Sequence, residues 1–271
     1  MRFPRRSAHT TDTYLAEADE VMQNVSRTFS VASRLLPVTV RRDVTLLYLV
    51  LRTLDDLVDE QNPEAAAAVA AVETWLVTGE PTTRETIILD DLSNRHSLPR
   101  PAVVAFLQGM RDDLEVPNIQ TEGDLDTYCY RVAGAVGEMM ASILGVWSDQ
   151  AWNAARALGN AMQRTNILRD VDEDLANGRV YLARDTLERF GITDLATQDR
   201  TELYRDQIAR ADTLYDQGMA GIPMLIHGGR SIAAAGAMYR EILREIERGT
   251  HRPYPCGAGA GYLGVSAGGD L

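Results

Sequence analysis

Apolar residues recur at helical spacing along almost the whole chain, and this feature restricts the fold more than any other. Spacings of three and four residues place apolar side chains on one face of a helix, whereas strands need alternation. No convincing alternating run of β-branched residues appears among the 271 residues. The chain is therefore predicted to be all-α. The predicted helices cover residues 12–24, 39–60, 64–78, 100–115, 124–146, 150–176, 200–220 and 230–248.

The length and the hydrophobic content indicate a single domain. A hydrophobic fraction of 45% in a chain of this length is enough for one sizeable core. We expect a helical domain over residues 12–250, a flexible N-terminus over 1–11 and an irregular, glycine-rich tail over 251–271. The sequence leaves the oligomeric state open.

The charge of the chain limits its partners. The formal net charge is −12 and all 27 basic residues are arginines, which argues against nucleic acid as a partner. Any phosphate must be held by guanidinium groups, backbone N–H groups or a metal. Cys129 and Cys256 form no disulfide framework, and neither a secretory signal nor a long apolar segment appears. We expect a cytoplasmic protein, with peripheral membrane contact as an open alternative.

Two aspartate pairs, Asp55 with Asp59 and Asp170 with Asp174, lie in apolar segments with helical patterns. Residues four apart share one helix face, and like charges at that spacing destabilise an exposed helix by about 0.2 to 0.5 kcal/mol. Burial of an uncompensated carboxylate costs more. A bound cation would compensate the charges, and oxygen ligands together with substrate phosphates favour Mg²⁺. The alternative interpretation is two solvated acidic patches.

Each acidic pair belongs to a longer polar stripe. The segment from Val44 to Glu60 is apolar around nearly the whole helix circumference, which indicates an interior helix whose polar residues need partners. In the second segment, Arg169 and Glu173 flank the stripe. We interpret both stripes as a lining for metal and phosphate. The first comprises Tyr48, Arg52, Asp55 and Asp59, and the second comprises Gln163, Asn166, Asp170 and Asp174.

Small residues interrupt the helical segment from Tyr128 to Met140. A glycine within a helix costs roughly 0.5 to 1 kcal/mol relative to alanine. Two interpretations remain open at this point: close helix packing, or the wall of a channel for an elongated apolar ligand. The small residues are Ala133, Gly134, Ala135 and Gly137.

Four segments together resemble the squalene and phytoene synthase family in their order and spacing, over about residues 20–248. They are SRTFSVASRLLP from Ser26, LYLVLRTLDDLVDE from Leu47, YCYRVAGAVGE from Tyr128 and TNILRDVDEDLANGRVYLARD from Thr165. The resemblance implies an isoprenoid-synthase fold, in which one helical bundle surrounds a central cavity. That cavity would hold two prenyl diphosphates with Mg²⁺, for which Mn²⁺ is an alternative ion.

The resemblance also implies roles for individual residues. Metal ligands would be Asp55, Asp59, Asn166, Asp170 and Asp174. Phosphate would be contacted by Ser26, Arg27, Thr28, Arg52 and Arg169. Tyr48 and Tyr128 would lie near the reacting carbons, and Gln163 beside an allylic tail. The tail-lining positions would be Val132, Ala133, Val136 and Gly137, while Arg179 and Tyr181 follow the second acidic motif as the family expects.

The implied reaction is the head-to-head condensation of two prenyl diphosphates through a cyclopropylcarbinyl diphosphate. The segment GRVYLARDTLERFGI from Gly178 looks more like bacterial phytoene synthases, which favours two C20 geranylgeranyl diphosphates and phytoene. Squalene or dehydrosqualene from C15 farnesyl diphosphate is the alternative, and NADPH is expected only for squalene. Two further alternatives are a terpene cyclase and a non-catalytic member. The latter is considered because the chain departs from the family pattern after YREILREIER.

Overall fold

The computed structural model describes residues 11–25, 32–146 and 148–249. Throughout this part of the chain the regular elements are helices, which confirms the all-α prediction. The α-helices are α1 (Leu15–Val25), α2 (Val38–Asp59), α3 (Ala65–Thr78), α4 (Arg84–His96), α5 (Arg100–Asp113), α6 (Glu122–Cys129), α7 (Ala135–Leu144), α8 (Asp149–Ala176), α9 (Arg184–Arg189), α10 (Thr201–Ala220) and α11 (Gly229–Glu247). Among these residues, no helix is both long and apolar enough to span a membrane.

Helix α2 runs through the interior, as its apolar circumference predicts. The side chains from Leu46 to Leu51 are all at most 1% exposed, so every face of this helix packs against other elements. A helix buried on all sides must satisfy its polar groups within the protein. Arg52 and Asp55 continue the same helix and are also buried. Asp55 of the first acidic pair therefore belongs to the core, and Asp59, one turn further along, is half-buried.

The prediction of one continuous helix over residues 124–146 is wrong. A π-helical turn, Tyr130–Gly134, separates α6 from α7, and the N–H of Ala135 donates to the carbonyl of Tyr130, five residues earlier. Single π-turns interrupt α-helices most often at functional sites. Apolar periodicity cannot reveal such a turn because it inserts one residue without changing the apolar character of the segment.

The π-turn and α7 cross α8 with their backbones in close contact. A Cβ atom on Gly159 would collide with the carbonyl of Ala133, and one on Gly137 would collide with the carbonyl of Ala155. The small residues thus permit close helix packing, which was one of the two interpretations. On its other side, α8 packs along α10, where Gly218 lies against Leu158.

Helices α4 and α9 do not appear among the sequence predictions. The side chain of Thr83 caps α4 by accepting from the N–H of Thr86, and the Thr86 hydroxyl accepts in return from the N–H of Thr83. The usual sequence signal for this reciprocal cap is Glu or Gln at the second position, so threonine gives a weaker indication. Helix α9 spans six residues, too few for a visible period.

Candidate active site

An apolar cavity lies between α7, α8, α10 and α11. Tyr48, the first residue of the stripe on α2, belongs to its wall, and so does Met162 of α8, which directly precedes Gln163 of the second stripe. Val136 and Gly137 also line the cavity, so small residues here shape the cavity as well as the helix contact. Both interpretations of the small-residue segment therefore have structural support.

Val132 and Ala133, which were also predicted to line a tail, are not part of this wall. Both are fully buried in the π-turn. Val132 lies against Gly109 of α5, and the carbonyl of Ala133 faces Gly159. In the described structure, Val132 and Ala133 therefore lie between helices. The π-turn that contains them affects the shape of the cavity through α7, which follows it.

The first acidic pair is placed beside a buried guanidinium group. Arg52 Nη1 lies 3.4 Å from Asp55 Oδ2, and the same guanidinium forms an ion pair with Asp56. Burial raises the pKa of Asp55 well above its usual value, with the neighbouring charge of Asp59 as the next contribution, while Arg52 opposes the shift. Burial likewise raises the pKa of Asp59 to about 6, against the attraction of Arg52. Without a bound cation, the pair therefore resists full ionisation.

The second pair has a different arrangement. Arg169 donates two hydrogen bonds to the carboxylate of Asp170, at 2.7 and 2.6 Å, which fix its orientation. Asp174 has no such cation directly bound, and burial together with the charges of Asp170 and Glu173 raises its pKa to about 7. The polar stripe continues inward through Asn166, whose Nδ2 donates to Gln163 Oε1 at 3.4 Å. Both amide side chains are buried.

A cluster of Asp113, Tyr128, Tyr181 and Arg179 adjoins the acidic pairs. The Tyr128 hydroxyl donates to both carboxylate oxygens of Asp113, at 3.0 and 3.2 Å, and the Tyr181 hydroxyl donates at 3.3 Å. The two tyrosine rings stack with their centroids 5.0 Å apart. Arg179 Nη2 donates to the carbonyl of Asp113 at 2.7 Å and lies 3.8 Å from its carboxylate. Tyr128 is therefore held by Asp113, and it lies outside the wall of the apolar cavity.

Arg179 connects the two acidic pairs electrostatically. Its positive charge lowers the pKa values of Asp59 on α2 and of Asp174 on α8, although burial dominates both shifts. It also opposes the rise in the pKa of Asp113, which burial brings to about 7. One guanidinium thus acts on carboxylates from three helices. The aspartates of the two separate motifs consequently face a common region.

Sequence reasoning missed two residues of this region, Asp113 and Tyr239. Asp113 ends α5 in the stretch RDDLE, which looks like a solvated helix end, and only the packing of the chain buries it. Tyr239 of α11 is 1% exposed and hydrogen-bonded to Arg169, and the charge of Arg52 also affects its pKa. In the sequence, an aromatic residue of a site within an amphipathic helix cannot be distinguished from an aromatic residue of the core.

The carboxylates fit a magnesium site whose coordination is shared with a substrate. Within the described residues, no group of three or more His, Cys, Asp or Glu side chains forms a complete metal cage. Mg²⁺ is commonly bound by one or two carboxylates, with waters and substrate phosphates filling the octahedron. The two aspartate pairs, in which burial raises the pKa values of Asp55, Asp59 and Asp174, provide that type of donor set. The predicted phosphate stretch, Ser26 to Thr28, lies outside the described residues, as does the tail over 251–271.

Comparison with known sequences identifies relatives over most of the chain. A model of the squalene/phytoene synthase family matches residues 22–257. A 15-cis-phytoene synthase of Synechococcus elongatus is 32% identical over 274 residues, covering 92% of this chain and 88% of that protein. A phytoene synthase of Thermus thermophilus is 37% identical over 234 residues, covering 83% and 81%. A chloroplastic phytoene synthase of Narcissus pseudonarcissus is 34% identical over 247 residues, covering 84% of this chain. The chain spans 58% of that plant protein.

Comparison with solved structures agrees with the comparison of sequences. A dehydrosqualene synthase with a bound ligand superposes with a TM-score of 0.81 at 29% identity, covering 89% of this chain and 88% of that one. A squalene synthase from Alicyclobacillus acidocaldarius superposes with a TM-score of 0.79 at 26% identity, covering 90% and 97%. Similarity of this extent in both sequence and fold, together with the family match, shows that the chain belongs to the squalene/phytoene synthase family.

Proposed function

We propose that this chain is a prenyl transferase that condenses two prenyl diphosphates head to head, with geranylgeranyl diphosphate as substrate and phytoene as product. The observation that carries the proposal is that the two aspartate pairs lie on α2 and α8, the helices that also contribute Tyr48 and Met162 to the wall of an apolar cavity. The relatives from Synechococcus and Thermus, which carry the name phytoene synthase, support the C20 substrate.

In this proposal Asp55, Asp59, Asp170 and Asp174 hold Mg²⁺ together with Asn166. When bound, Mg²⁺ neutralises diphosphate oxygens and so makes the diphosphate a better leaving group. The guanidinium groups of Arg52 and Arg179 provide additional positive charge at the same region. Arg169 acts mainly through Asp170, whose carboxylate it orients with two hydrogen bonds.

The apolar cavity protects the allylic cation that ionisation leaves. Its wall is almost entirely hydrocarbon, which disfavours water beside the reacting carbons. Tyr48 presents an aromatic ring at the end nearest the first acidic stripe, and an aromatic face stabilises a cation without trapping it as a strong nucleophile would. Attack by a double bond of the second prenyl diphosphate, with loss of one proton as the ring closes, forms the cyclopropylcarbinyl diphosphate. A second ionisation, rearrangement and proton loss then give phytoene, with the released diphosphate as the proposed base.

A second candidate is the synthesis of squalene or dehydrosqualene from two C15 diphosphates. It is favoured by the superposition on enzymes that carry those two names. Squalene formation would require hydride from NADPH, whereas dehydrosqualene and phytoene would not. A terpene cyclase would ionise a single diphosphate at the same site and release a cyclic product, and a non-catalytic protein would release none.

Product identification by mass spectrometry, with C15 and C20 diphosphates offered together with Mg²⁺, tests these proposals. We expect a coupled C40 hydrocarbon; a cyclic C15 or C20 product, or no diphosphate release, would refute the proposed reaction. Asp55→Ala and Asp170→Ala should each abolish Mg²⁺-dependent diphosphate release. Asp172→Ala is the matched control on α8, because its carboxylate is exposed and pairs with Arg200. Full activity of Asp55→Ala or Asp170→Ala would refute the site assignment.

A further inference from the structure

The apolar cavity follows one stripe of α8. Ala151, Ala154, Leu158 and Met162 all line it, at the spacing of three and four residues that defines one helix face. Each helical residue advances about 1.5 Å along the helix axis, so the position of a residue on α8 gives its depth in the cavity. Asn166 of the polar stripe lies one turn beyond Met162 and marks the polar end of the cavity. From Asn166, Leu158 lies about 12 Å deep, Ala154 about 18 Å and Ala151 about 22 Å.

Backbone contacts border the deep end of the cavity. The segment that follows α10 carries Leu225 on the wall, and its next two N–H groups donate to carbonyls at the end of α7. These bonds join Ile226 to Gly145 at 3.0 Å and His227 to Leu144 at 2.9 Å. At the same depth, Gly221 approaches Ala154 so closely that a Cβ atom on the glycine would collide with the alanine methyl group. A larger side chain at Ala154 must therefore extend into the cavity or displace α10.

The lengths of prenyl chains can be compared with these depths. Extended protein backbone advances about 3.5 Å over three bonds, or about 1.2 Å per bond. The main chain of a C20 prenyl group has about fifteen bonds and measures about 18 Å, whereas a C15 group has about eleven and measures about 13 Å. A C20 chain that begins at the level of Asn166 consequently ends beside Ala154. A C15 chain ends near Leu158, about 5 Å short of Ala154.

We propose that Ala154, with Ala151 behind it, determines the length of the prenyl tail that this cavity accepts, and that the wild-type side chains admit a C20 tail. This inference rests on the proposed condensation of prenyl diphosphates. It assigns chain-length selection to the methyl groups at the deep end of the cavity, because the last isoprenyl unit of a C20 substrate ends beside Ala154 and about 4 Å short of Ala151, where a larger side chain would shorten the remaining space. A C15 tail would leave that space unused.

The test offers equimolar C15 and C20 diphosphates with Mg²⁺ to four full-length proteins and measures the C30, C35 and C40 hydrocarbons by mass spectrometry. The wild type should form mainly C40. Ala154→Leu and, independently, Ala151→Leu should lower the ratio of C40 to the shorter products at least tenfold while keeping consumption of the C15 substrate. The mixed C35 product counts as shortened because only one tail needs to enter this cavity. Asn153→Leu, on the exposed side of the same turn, should keep the wild-type ratio.

The outcomes separate this inference from the proposed reaction. If the wild type forms no coupled hydrocarbon from either substrate, the proposed function fails and chain-length selection fails with it. If the wild type forms C40 but either leucine variant, shown to be folded by its C15 consumption, keeps the C40 ratio, chain-length selection by that residue is refuted alone. A wild type that prefers C30 in competition would also overturn the inference, because its cavity would then be deeper than its substrate requires.

Discussion

Replacement of Asp174 by asparagine should stabilise the metal-free protein at pH 8. Burial and the charges of Asp170 and Glu173 raise the pKa of Asp174 from its usual 3.8 to about 7. The folded state therefore binds this proton more tightly than the unfolded chain does. The stabilisation from the protonated group is fully present below about pH 3.8 and is lost as pH rises through about 7. Asparagine is neutral at every pH and avoids that loss.

The size of the effect follows from the same shift. The difference of 7 − 3.8 is about 3.2 pKa units, and at about 1.36 kcal/mol per unit this gives at most about 4 kcal/mol at pH 8. Partial solvation and local relaxation reduce such values, so we expect a gain of about 2 kcal/mol. At pH 5 the folded wild type is mostly protonated but its unfolded chain is not, so about one third of the stabilisation is lost and the variant should gain only about 0.8 kcal/mol. Mg²⁺ should stabilise the wild type more than the variant, since a carboxylate binds the ion more strongly than an amide does.

Urea denaturation at pH 5 and pH 8, with EDTA or with Mg²⁺, measures these free energies. Asp172→Asn is the control, because Asp172 lies on the same helix but is 57% exposed and pairs with Arg200 at 2.7 Å. An exposed pair contributes about 0 to 1 kcal/mol, so its loss should slightly destabilise the protein at pH 8. If Asp174→Asn is less stable than the wild type at pH 8 in EDTA, the charged Asp174 side chain does not destabilise the folded protein, and the reasoning is refuted.

Two further predictions concern the neighbouring structure. Asp113→Asn should lower kcat about tenfold with a smaller change in KM, because it weakens the charge-assisted hydrogen bonds that hold Tyr128 and Tyr181. Steady-state kinetics measures both constants, with Asp112→Asn as the control. Equal kinetic constants for the two variants would contradict this prediction. Gly159→Ala should lower the free energy of unfolding by about 1 to 3 kcal/mol, because the added methyl group meets the Ala133 carbonyl. Gly123→Ala is the control, because a methyl group at Gly123 has room and should not lower the stability. Equal urea midpoints for the two variants would refute the packing argument.

The elements that could be predicted from the sequence are those with a strong local signal. The interior position of α2 follows from apolar residues on all its faces, and the long acidic helix α8 follows from its sustained period. The stripe positions of the aspartates then follow from helix geometry alone. For these parts, local spacing and tertiary structure agree, which is why the two acidic helices could be placed before the structure was known.

The remaining parts depend on contacts between segments distant in sequence. Asp113 looks like a solvated residue until Tyr128, Tyr181 and Arg179 surround it. The depth of the cavity depends on where the segment after α10 meets the end of α7, through bonds between residues about 80 positions apart. No local pattern encodes such distances. Sequence reasoning could therefore predict the kind of chemistry but not the length of the cavity.

The acidic region and the apolar cavity have opposite physical requirements, which explains why they occupy successive turns of the same helices. The carboxylates need a cation and phosphate oxygens, and without them burial raises the pKa values of Asp59 and Asp174 into the neutral range. The cavity needs to exclude water, and its wall is built from alanine, glycine and larger apolar side chains. On α8 the transition takes one turn, between Met162 and Asn166. Under the proposed function, a diphosphate bound by the polar turns would place its tail directly along the apolar ones, so that one continuous helix aligns the leaving group with the hydrocarbon.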